Sequence, residues 1–153
     1  MAGRPFAILL AAAAVTGFAC SQQSAPGGAA TPPPAATAAM LQSLASSIAA
    51  RDYGAAYDLV AAGQRESLTR AEFEEAFRHY RDGLPDRLKT DVRVDAYDRA
   101  SASMVPDGIR DQIVAEGVVS FDPDGGQAEG FSAVVWVVME SGRPRIAHLY
   151  TED

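Results

Sequence analysis

The stretch at residues 131–139, FSAVVWVVM, decides the fold class of this chain. It holds no charged residue and is dominated by valine. A strand of this composition is apolar on both faces, so we expect it at the centre of a sheet that is covered on both sides. Its tryptophan, Trp136, should then be buried against helices or against a dimer partner.

Segments on both sides of this stretch have the composition of strands and turns. Apolar and polar residues alternate through residues 88–97 and 113–121, which predicts two half-buried strands. Residues 122–126 (DPDGG) are typical of a hairpin loop, and residues 141–144 (SGRP) turn the chain. Residues 145–150 (RIAHLY) form the last predicted strand. The sequence therefore predicts about four strands, most of them connected by hairpins.

Helical patterns precede the first strand. Apolar residues recur at spacings of three and four in residues 40–48 and again in residues 53–60, which predicts two amphipathic helices. Asp52 is a candidate N-cap for the second of them. Thr69 and Glu72 stand at the positions of a capping box, which predicts the start of a third helix.

Helices followed by hairpin-connected strands predict an α+β domain over residues 38–153, with three N-terminal helices packed on one curved antiparallel sheet. Three features resemble the nuclear transport factor two-like superfamily: residues 51–57 (RDYGAAY) between two helices, Trp136 in the long strand, and residues 145–149 (RIAHL) at the end. The resemblance implies a cone-like fold. The isomerases of that superfamily use a tyrosine on the first helix, which residues 40–50 lack, so their catalytic site is not transferred.

The N-terminus has the anatomy of a bacterial signal peptide. Arg4 precedes an apolar run at residues 6–15, which is too short to span a membrane. Ala19 then precedes Cys20, the only cysteine of the chain. This arrangement resembles the lipobox of bacterial lipoproteins. The resemblance implies a signal peptide over residues 1–19 and an acylated Cys20 that anchors the protein in a membrane; an ordinary secretory signal or an uncleaved anchor is the alternative.

The segment after the cysteine is predicted to be a tether. Residues 20–37 are rich in Pro, Ala and Gly and carry no charge, so they cannot bury enough apolar surface to fold. Ser21, rather than Asp, follows the cysteine, and by the lipoprotein resemblance this implies the outer membrane of the cell envelope. The expected location is therefore lipid-anchored and facing the periplasm.

Composition and motifs exclude several function classes. The formal net charge is −7 with a single Lys, which argues against nucleic-acid binding, and one Cys cannot build a disulfide framework. His79 with Glu75 offers too few metal ligands, and Asp122, Asp124 and Glu129 only faintly match a calcium loop. We assign no metal site, no cofactor and no catalytic residue from the sequence.

Four side chains are candidate pocket-lining groups: Tyr57, Trp136, His148 and Tyr150. His148 is expected to share a strand face with Ile146 and Tyr150, and imidazole titrates near neutral pH. The sequence supports two functions. One is a non-catalytic binding or assembly module at the membrane, with a sheet-to-sheet homodimer as one arrangement. The alternative is a small-ligand-binding or enzymatic pocket protein of the same cone-like fold.

Overall fold

The computed structural model describes residues 34–97, 102–125 and 129–152. Over these residues it is an α+β structure with four α-helices and one open, four-stranded antiparallel sheet, which confirms the predicted class and the antiparallel sheet. The helices are α1 (Pro34–Ala49), α2 (Tyr53–Tyr57), α3 (Arg70–Arg81) and α4 (Asp107–Arg110). The strands are β1 (Leu88–Asp95), β2 (Ile113–Pro123), β3 (Phe131–Glu140) and β4 (Arg143–Glu152).

The predicted signal peptide, Cys20 and the predicted tether as far as residue 33 lie outside the described residues. Helix α1 begins at Pro34, before the predicted domain start at Ala38. Proline is favoured in the first turn of a helix, because its missing N–H would have no partner there. Thr37 is already fully buried, so the folded domain includes the end of the predicted tether.

The sheet is a simple meander in the order β1-β2-β3-β4. Strand β3 therefore lies between two neighbours, as its composition predicts. Val135 and Val137 are buried on the side of the helices, and Trp136 and Val138 are buried on the opposite side. Ser141 and Gly142, both with positive φ (52° and 75°), form the turn from β3 to β4, which suits the right-handed twist of a hairpin.

A dense apolar layer fills the space between the helices and the sheet. The rings of Phe121 and Phe131 stack at 4.5 Å, and Phe77 of α3 meets them at 6.5 and 6.4 Å. Leu41 of α1 lies over Gly117 of β2. A Cβ added at Gly117 would collide with Cδ1 of Leu41. Gly117 thus lets α1 approach the sheet closely. The largest fully buried apolar side chains of this layer are Leu41, Leu44, Ile48, Val60, Phe73, Phe77, Val119, Phe121, Val135, Val137 and Ile146.

A Schellman motif sets the turn between α1 and α2. Arg51 has a φ of 59°, its N–H donates to Ile48 O (3.0 Å), and the N–H of Asp52 donates to Ser47 O (2.8 Å). Asp52 then accepts a hydrogen bond from the N–H of Ala55 (3.0 Å), which confirms it as the N-cap of α2. Arg51 and Asp52 together therefore end α1 and start α2.

Helix α2 is shorter than the predicted pattern over residues 53–60, and it ends at Tyr57. The reason is tertiary. The N–H of Ala61 donates to Ile146 O (2.9 Å), and the N–H of Ile146 donates to Leu59 O (3.0 Å). Val60 thus pairs as a parallel bridge with the free edge of β4, and this pairing replaces the last helical turn.

The capping box of α3 forms as predicted. The N–H of Thr69 donates to Glu72 (2.9 Å), and the N–H of Glu72 donates back to the Thr69 hydroxyl (3.3 Å). At the other end of the helix, Arg81 is fully buried. Its guanidinium is held by neutral backbone carbonyls, through Nη1 to Leu84 O (3.2 Å) and Pro85 O (2.9 Å), and through Nη2 to Ala49 O (2.9 Å) and Asp86 O (3.2 Å).

The face of the sheet turned away from α1 and α3 is called the outer face below. Residues 102–112, the covering segment, pack over one end of it. Val105 is buried there, and Ile109 of α4 is partly buried against the same cluster. Within the described ranges, no helix combines the length and the hydropathy needed to cross a bilayer.

Candidate functional site

The structure separates the four candidate pocket residues. Tyr57 lies on the helix side of the sheet, where its ring meets Phe73 edge-on at 5.6 Å and its hydroxyl donates to Leu68 O (3.0 Å). Trp136, His148 and Tyr150 lie on the outer face. The sheet therefore stands between Tyr57 and the other three, and they do not line a common pocket.

A β-bulge in β4 explains part of this arrangement. Trp136 pairs with His148, but the next residue of β3, Val137, pairs with Ile146. Ala147 is the extra residue, and the alternation of side chains is shifted there. Ile146 consequently packs on the helix side, whereas His148 stacks on Trp136 at the outer face. The expectation that Ile146 and His148 share a face is wrong for this reason.

Trp136 is the centre of a small cluster at the covered end of the outer face. Its side chain is 3% exposed, and its Nε1–H donates to Glu116 Oε2 (2.9 Å). The imidazole of His148 stacks on the indole with a centroid distance of 5.7 Å and an interplanar angle of 23°. The covering segment closes the cluster with Val105. Trp136 is thus buried as predicted, under the covering segment with its short helix α4 and on the face opposite α1 and α3.

His148 is half-buried and links β4 to the covering segment. Burial lowers the pKa of His148 from its ordinary value, and a hydrogen bond with the backbone of Met104 raises that pKa in part. Desolvation disfavours the imidazolium, so the neutral ring is the favoured form near neutral pH. A neutral imidazole that is stacked and hydrogen-bonded in this way is suited to hold the covering segment in place.

Metal ligation finds no support in the described part of the chain, where no three His, Cys, Asp or Glu side chains converge. His79 instead meets the ring of Tyr80 edge-on at 5.1 Å. Asp124, from the faint calcium pattern, pairs with Lys89 at 3.3 Å. These side chains have ordinary surface contacts.

A row of four side chains crosses the open part of the outer face. The register aligns Arg93 with Val118, Val118 with Val134, and Val134 with Tyr150, one residue from each strand in the order β1-β2-β3-β4. This set is called the outer row. Its valines are half-buried, Arg93 is exposed, and Tyr150 is 41% exposed. Arg93 pairs with Asp95 of the same strand at 2.8 Å, so the outer row consists of two half-buried valines between an ion-paired arginine and an aromatic ring.

Met104, on the covering segment, adds a second exposed apolar side chain near the outer row. It is 52% exposed, and its backbone contacts His148, which is two residues from Tyr150 on the same strand. Tyrosine, methionine, tryptophan and arginine are enriched in protein–protein interfaces. The arrangement can therefore bind a protein surface, whereas it places no acid, base or nucleophile around a cavity.

Two surface clefts of about 350 Å³ each have linings that include none of the four outer-row residues. In one, Glu140 already accepts a hydrogen bond from the N–H of Ala62 (2.9 Å), and Asp111 is also engaged. Because both carboxylates of this first cleft have partners, we assign the cleft no ligand. Its lining is Ala61, Gly63, Gln64, Asp111, Gln112, Val138, Met139 and Glu140. The other cleft is lined by Gln42, Ser46, Thr90, Asp91 and Val92.

Sequence reasoning did not find Arg93, Val118 or Val134 as site residues. The alternation in the two predicted strands indicates which side chains share a face, but only the register shows that these three form a row with Tyr150. Comparison with protein-family models, with curated proteins and with solved structures finds no match to this chain.

Proposed function

We propose that this protein is a membrane-anchored lipoprotein of the bacterial cell envelope, whose α+β domain acts as a non-catalytic binding or assembly module. Cys20 would carry the lipid in the outer membrane. The residues between Cys20 and α1 would hold the domain in the periplasm. The leader, with its short apolar run and single cysteine after Ala19, supports this anchoring.

The filled layer between the helices and the sheet is the observation that carries the binding-module function. An enzyme or small-ligand carrier of this architecture needs a cavity with converging polar groups. Here the layer is packed with fully buried apolar side chains such as Phe77 and Phe121. The polar groups expected for a pocket, Tyr57 and His148, lie on opposite faces of the sheet. Tyr150 and Met104 have exposed apolar side chains, which a macromolecular partner can contact.

We also propose that the three N-terminal helices pack on one curved sheet, as in the cone-like nuclear transport factor two-like superfamily. One continuous core supports it, because residues of α1, α2 and α3 cluster there with residues of the sheet. The Asp52 cap between α1 and α2 also matches the link that carries the resemblance.

Intact-mass measurement of the protein extracted from bacterial membranes tests the anchoring. The expected mass corresponds to a chain that begins at a diacylglyceryl-modified Cys20. Cys20→Ser should lack the lipid and leave the membrane fraction. An unmodified Cys20, or a mature chain that begins elsewhere, would contradict the proposal.

The binding half is tested with a photo-crosslinking amino acid at Tyr150 in the intact protein. Irradiated cells should yield adducts of defined mass. The matched control carries the same amino acid at Glu75, which is exposed on α3. Adducts from Tyr150 but not from Glu75 support a binding surface on the outer face. The same adducts from both positions, or none from either, would contradict it.

A further inference from the structure

We propose that the free edge of β1 pairs with β1 of a second copy of this chain, so that two four-stranded sheets join into one continuous antiparallel sheet. The two-fold axis stands perpendicular to the sheet and passes between Val92 and its counterpart. This inference rests on the proposed function as an assembly module, and it names a partner and a contact surface. It follows from the backbone hydrogen bonds of β1 and from the order of its charges.

The free edge of β1 is the side of that strand turned away from β2, and within the described residues no hydrogen bond reaches its backbone groups. The N–H of Asp124 donates to Arg87 O (3.4 Å), and the register sets these residues opposite each other, one step before Leu88 and Pro123. In an antiparallel pair, hydrogen-bonded positions alternate with positions whose N–H and C=O point away. The groups that point to the free edge therefore belong to every second residue: Leu88, Thr90, Val92 and Val94.

Open space lies beside this edge on the helix side of the sheet. A cleft of about 350 Å³ is lined there by Gln42 and Ser46 of α1 and by Thr90, Asp91 and Val92 of β1. Thr90 is exposed and Val92 is half-buried, so an added strand would complete their burial. Helix α1 carries no charged residue, so two copies of it can approach each other without charge repulsion.

The charges of β1 select a second copy of β1 as the added strand. With Val92 opposite Val92 of the second copy, Asp91 meets Arg93 of the second copy, and Lys89 meets Asp95 of the second copy. The two-fold axis repeats both contacts. These charged residues then stand at non-hydrogen-bonded positions, where side chains of antiparallel strands come closest. Opposite charges at directly facing positions stabilise strand pairing.

Neighbouring registers bring like charges together. A shift of two residues in one direction sets Asp91 opposite itself and Lys89 opposite Arg93. The same shift in the other direction sets Arg93 opposite itself and Asp91 opposite Asp95. Like charges in direct opposition are destabilising, and a shift of one residue would turn the helix side of one copy to the outer face of the other. One register therefore remains.

The ion pairs within one copy leave these contacts available. Arg93 binds Asp95 of its own strand at 2.8 Å, and Lys89 binds Asp124 at 3.3 Å, but all four side chains are at least 42% exposed. A guanidinium has five N–H donors and an ammonium has three, so each cation can bind a second carboxylate.

Two carboxylates of β1 gain from these second contacts. Within the described ranges Asp91 has no ion-pair partner. Asp95 has one cation but lies directly opposite a second carboxylate, Glu116 of β2. Arg93 of the second copy reaches the first carboxylate, and Lys89 of the second copy reaches the second.

The affinity comes mainly from the backbone. The pairs that Thr90, Val92 and Val94 form across the axis exchange about six main-chain hydrogen bonds. Main-chain hydrogen bonds supply the affinity of strand addition, so the contact does not depend on a large apolar area. The perpendicular axis also sets the two covering segments at opposite ends of the joined sheet, where they do not meet.

Disulfide formation in isolated membranes tests the partner and the register, with the full-length protein. Val92→Cys should form a covalent dimer on mild oxidation, because facing Cα atoms at this position are about 5.5 Å apart, within disulfide range. Thr90→Cys is the matched control and should give several-fold less dimer, since Thr90 faces Val94 of the second copy. The unsubstituted protein reports any contribution of Cys20. If Val92→Cys does not fold, a mixture of Thr90→Cys and Val94→Cys copies reads the same register.

Charge reversal tests the selectivity in the Val92→Cys background. Asp91→Arg should reduce the dimer several-fold, because the introduced arginine meets Arg93 of the second copy. Arg93→Asp should do the same, because two carboxylates then face each other. Co-expressed with different tags, the two variants should recover a mixed dimer, in which the introduced arginine faces the introduced aspartate. Glu75→Lys, on the exposed surface of α3, is the control for a changed net charge and should leave the dimer unchanged.

Four outcomes would overturn the inference: a Val92→Cys dimer no more abundant than that of Thr90→Cys, a cross-link to another protein in place of the dimer, undiminished dimer in both charge reversals, or no mixed dimer from their co-expression. The result is separable from the proposed function. A lipidated protein without the disulfide removes the second copy and leaves the lipoprotein. A disulfide-linked dimer with an unmodified Cys20 removes the lipoprotein and leaves the edge pairing.

Discussion

The substitution Arg81→Met should destabilise the domain far more than its position near the end of a surface helix suggests. The guanidinium is fully buried and satisfies four backbone carbonyls. One of them, Ala49 O, belongs to the C-terminus of α1, and the other three belong to the loop between α3 and β1. Methionine has similar length but no donor, so these carbonyls lose their partners.

The magnitude follows from the number of acceptors left without a donor. A buried polar group that loses its hydrogen bond costs about 1–3 kcal/mol. If water reaches half of the four carbonyls after the substitution, the other half give a total of about 2–6 kcal/mol. That is a large share of a typical stability of about 5–15 kcal/mol. Arg81→Lys should fall between the wild type and Arg81→Met, because an ammonium carries fewer donors from a single point.

Urea unfolding gives the free energies, with Trp136 fluorescence as the signal. The matched control is Arg78→Met, one turn earlier on the same helix. Arg78 is exposed, pairs with Glu74 at 3.0 Å and lies over the ring of Tyr53. Exposed ion pairs contribute little, so this variant should unfold close to the wild type. Equal losses of stability in Arg78→Met and Arg81→Met would refute the argument that the carbonyl cage stabilises the domain.

Two further predictions concern the outer face. Trp136→Ala should lower the free energy of unfolding by about 3–5 kcal/mol, because removing a buried indole leaves a cavity, whereas Trp136→Phe should lower it clearly less. Circular dichroism in urea measures both variants, and a tolerated alanine would show that the covering segment does not pack on Trp136. Burial lowers the pKa of His148 below 6.5, so the unfolded chain binds more protons just below that pH, and the free energy of unfolding should fall as the pH drops through the folded-state pKa. His148→Gln should flatten this slope relative to the wild-type protein, in urea titrations at several pH values. A slope that the substitution leaves unchanged would show that His148 does not contribute.

Local rules predicted much of the fold. The Thr69–Glu72 capping box and the Asp52 cap involve residues a few positions apart, so their hydrogen bonds are encoded in short stretches of sequence. The composition of residues 131–139 likewise predicted an interior strand, because a segment that is apolar on both faces must be covered on both. The end of α2 at Tyr57 could not be predicted in this way, since its competitor, the edge of β4, is distant in sequence.

The candidate site was predictable only in part. Trp136, His148 and Tyr150 were identified because aromatic and imidazole side chains on a strand are chemically distinctive. Tyr57 was grouped with them wrongly, because periodicity does not show on which side of a sheet a helix packs.

By itself, the sequence determined the four strands and the starts of α2 and α3, because each depends on neighbouring residues and their periodicity. The tertiary structure alone decided three features: the bulge at Ala147 that turns His148 away from Ile146, the carbonyl cage of Arg81, and the outer row from Arg93 to Tyr150. Each of them joins residues that are distant in the chain or depends on a strand register. The free energy that fixes a register comes from side chains packed across neighbouring strands, so it exists only once those strands have met.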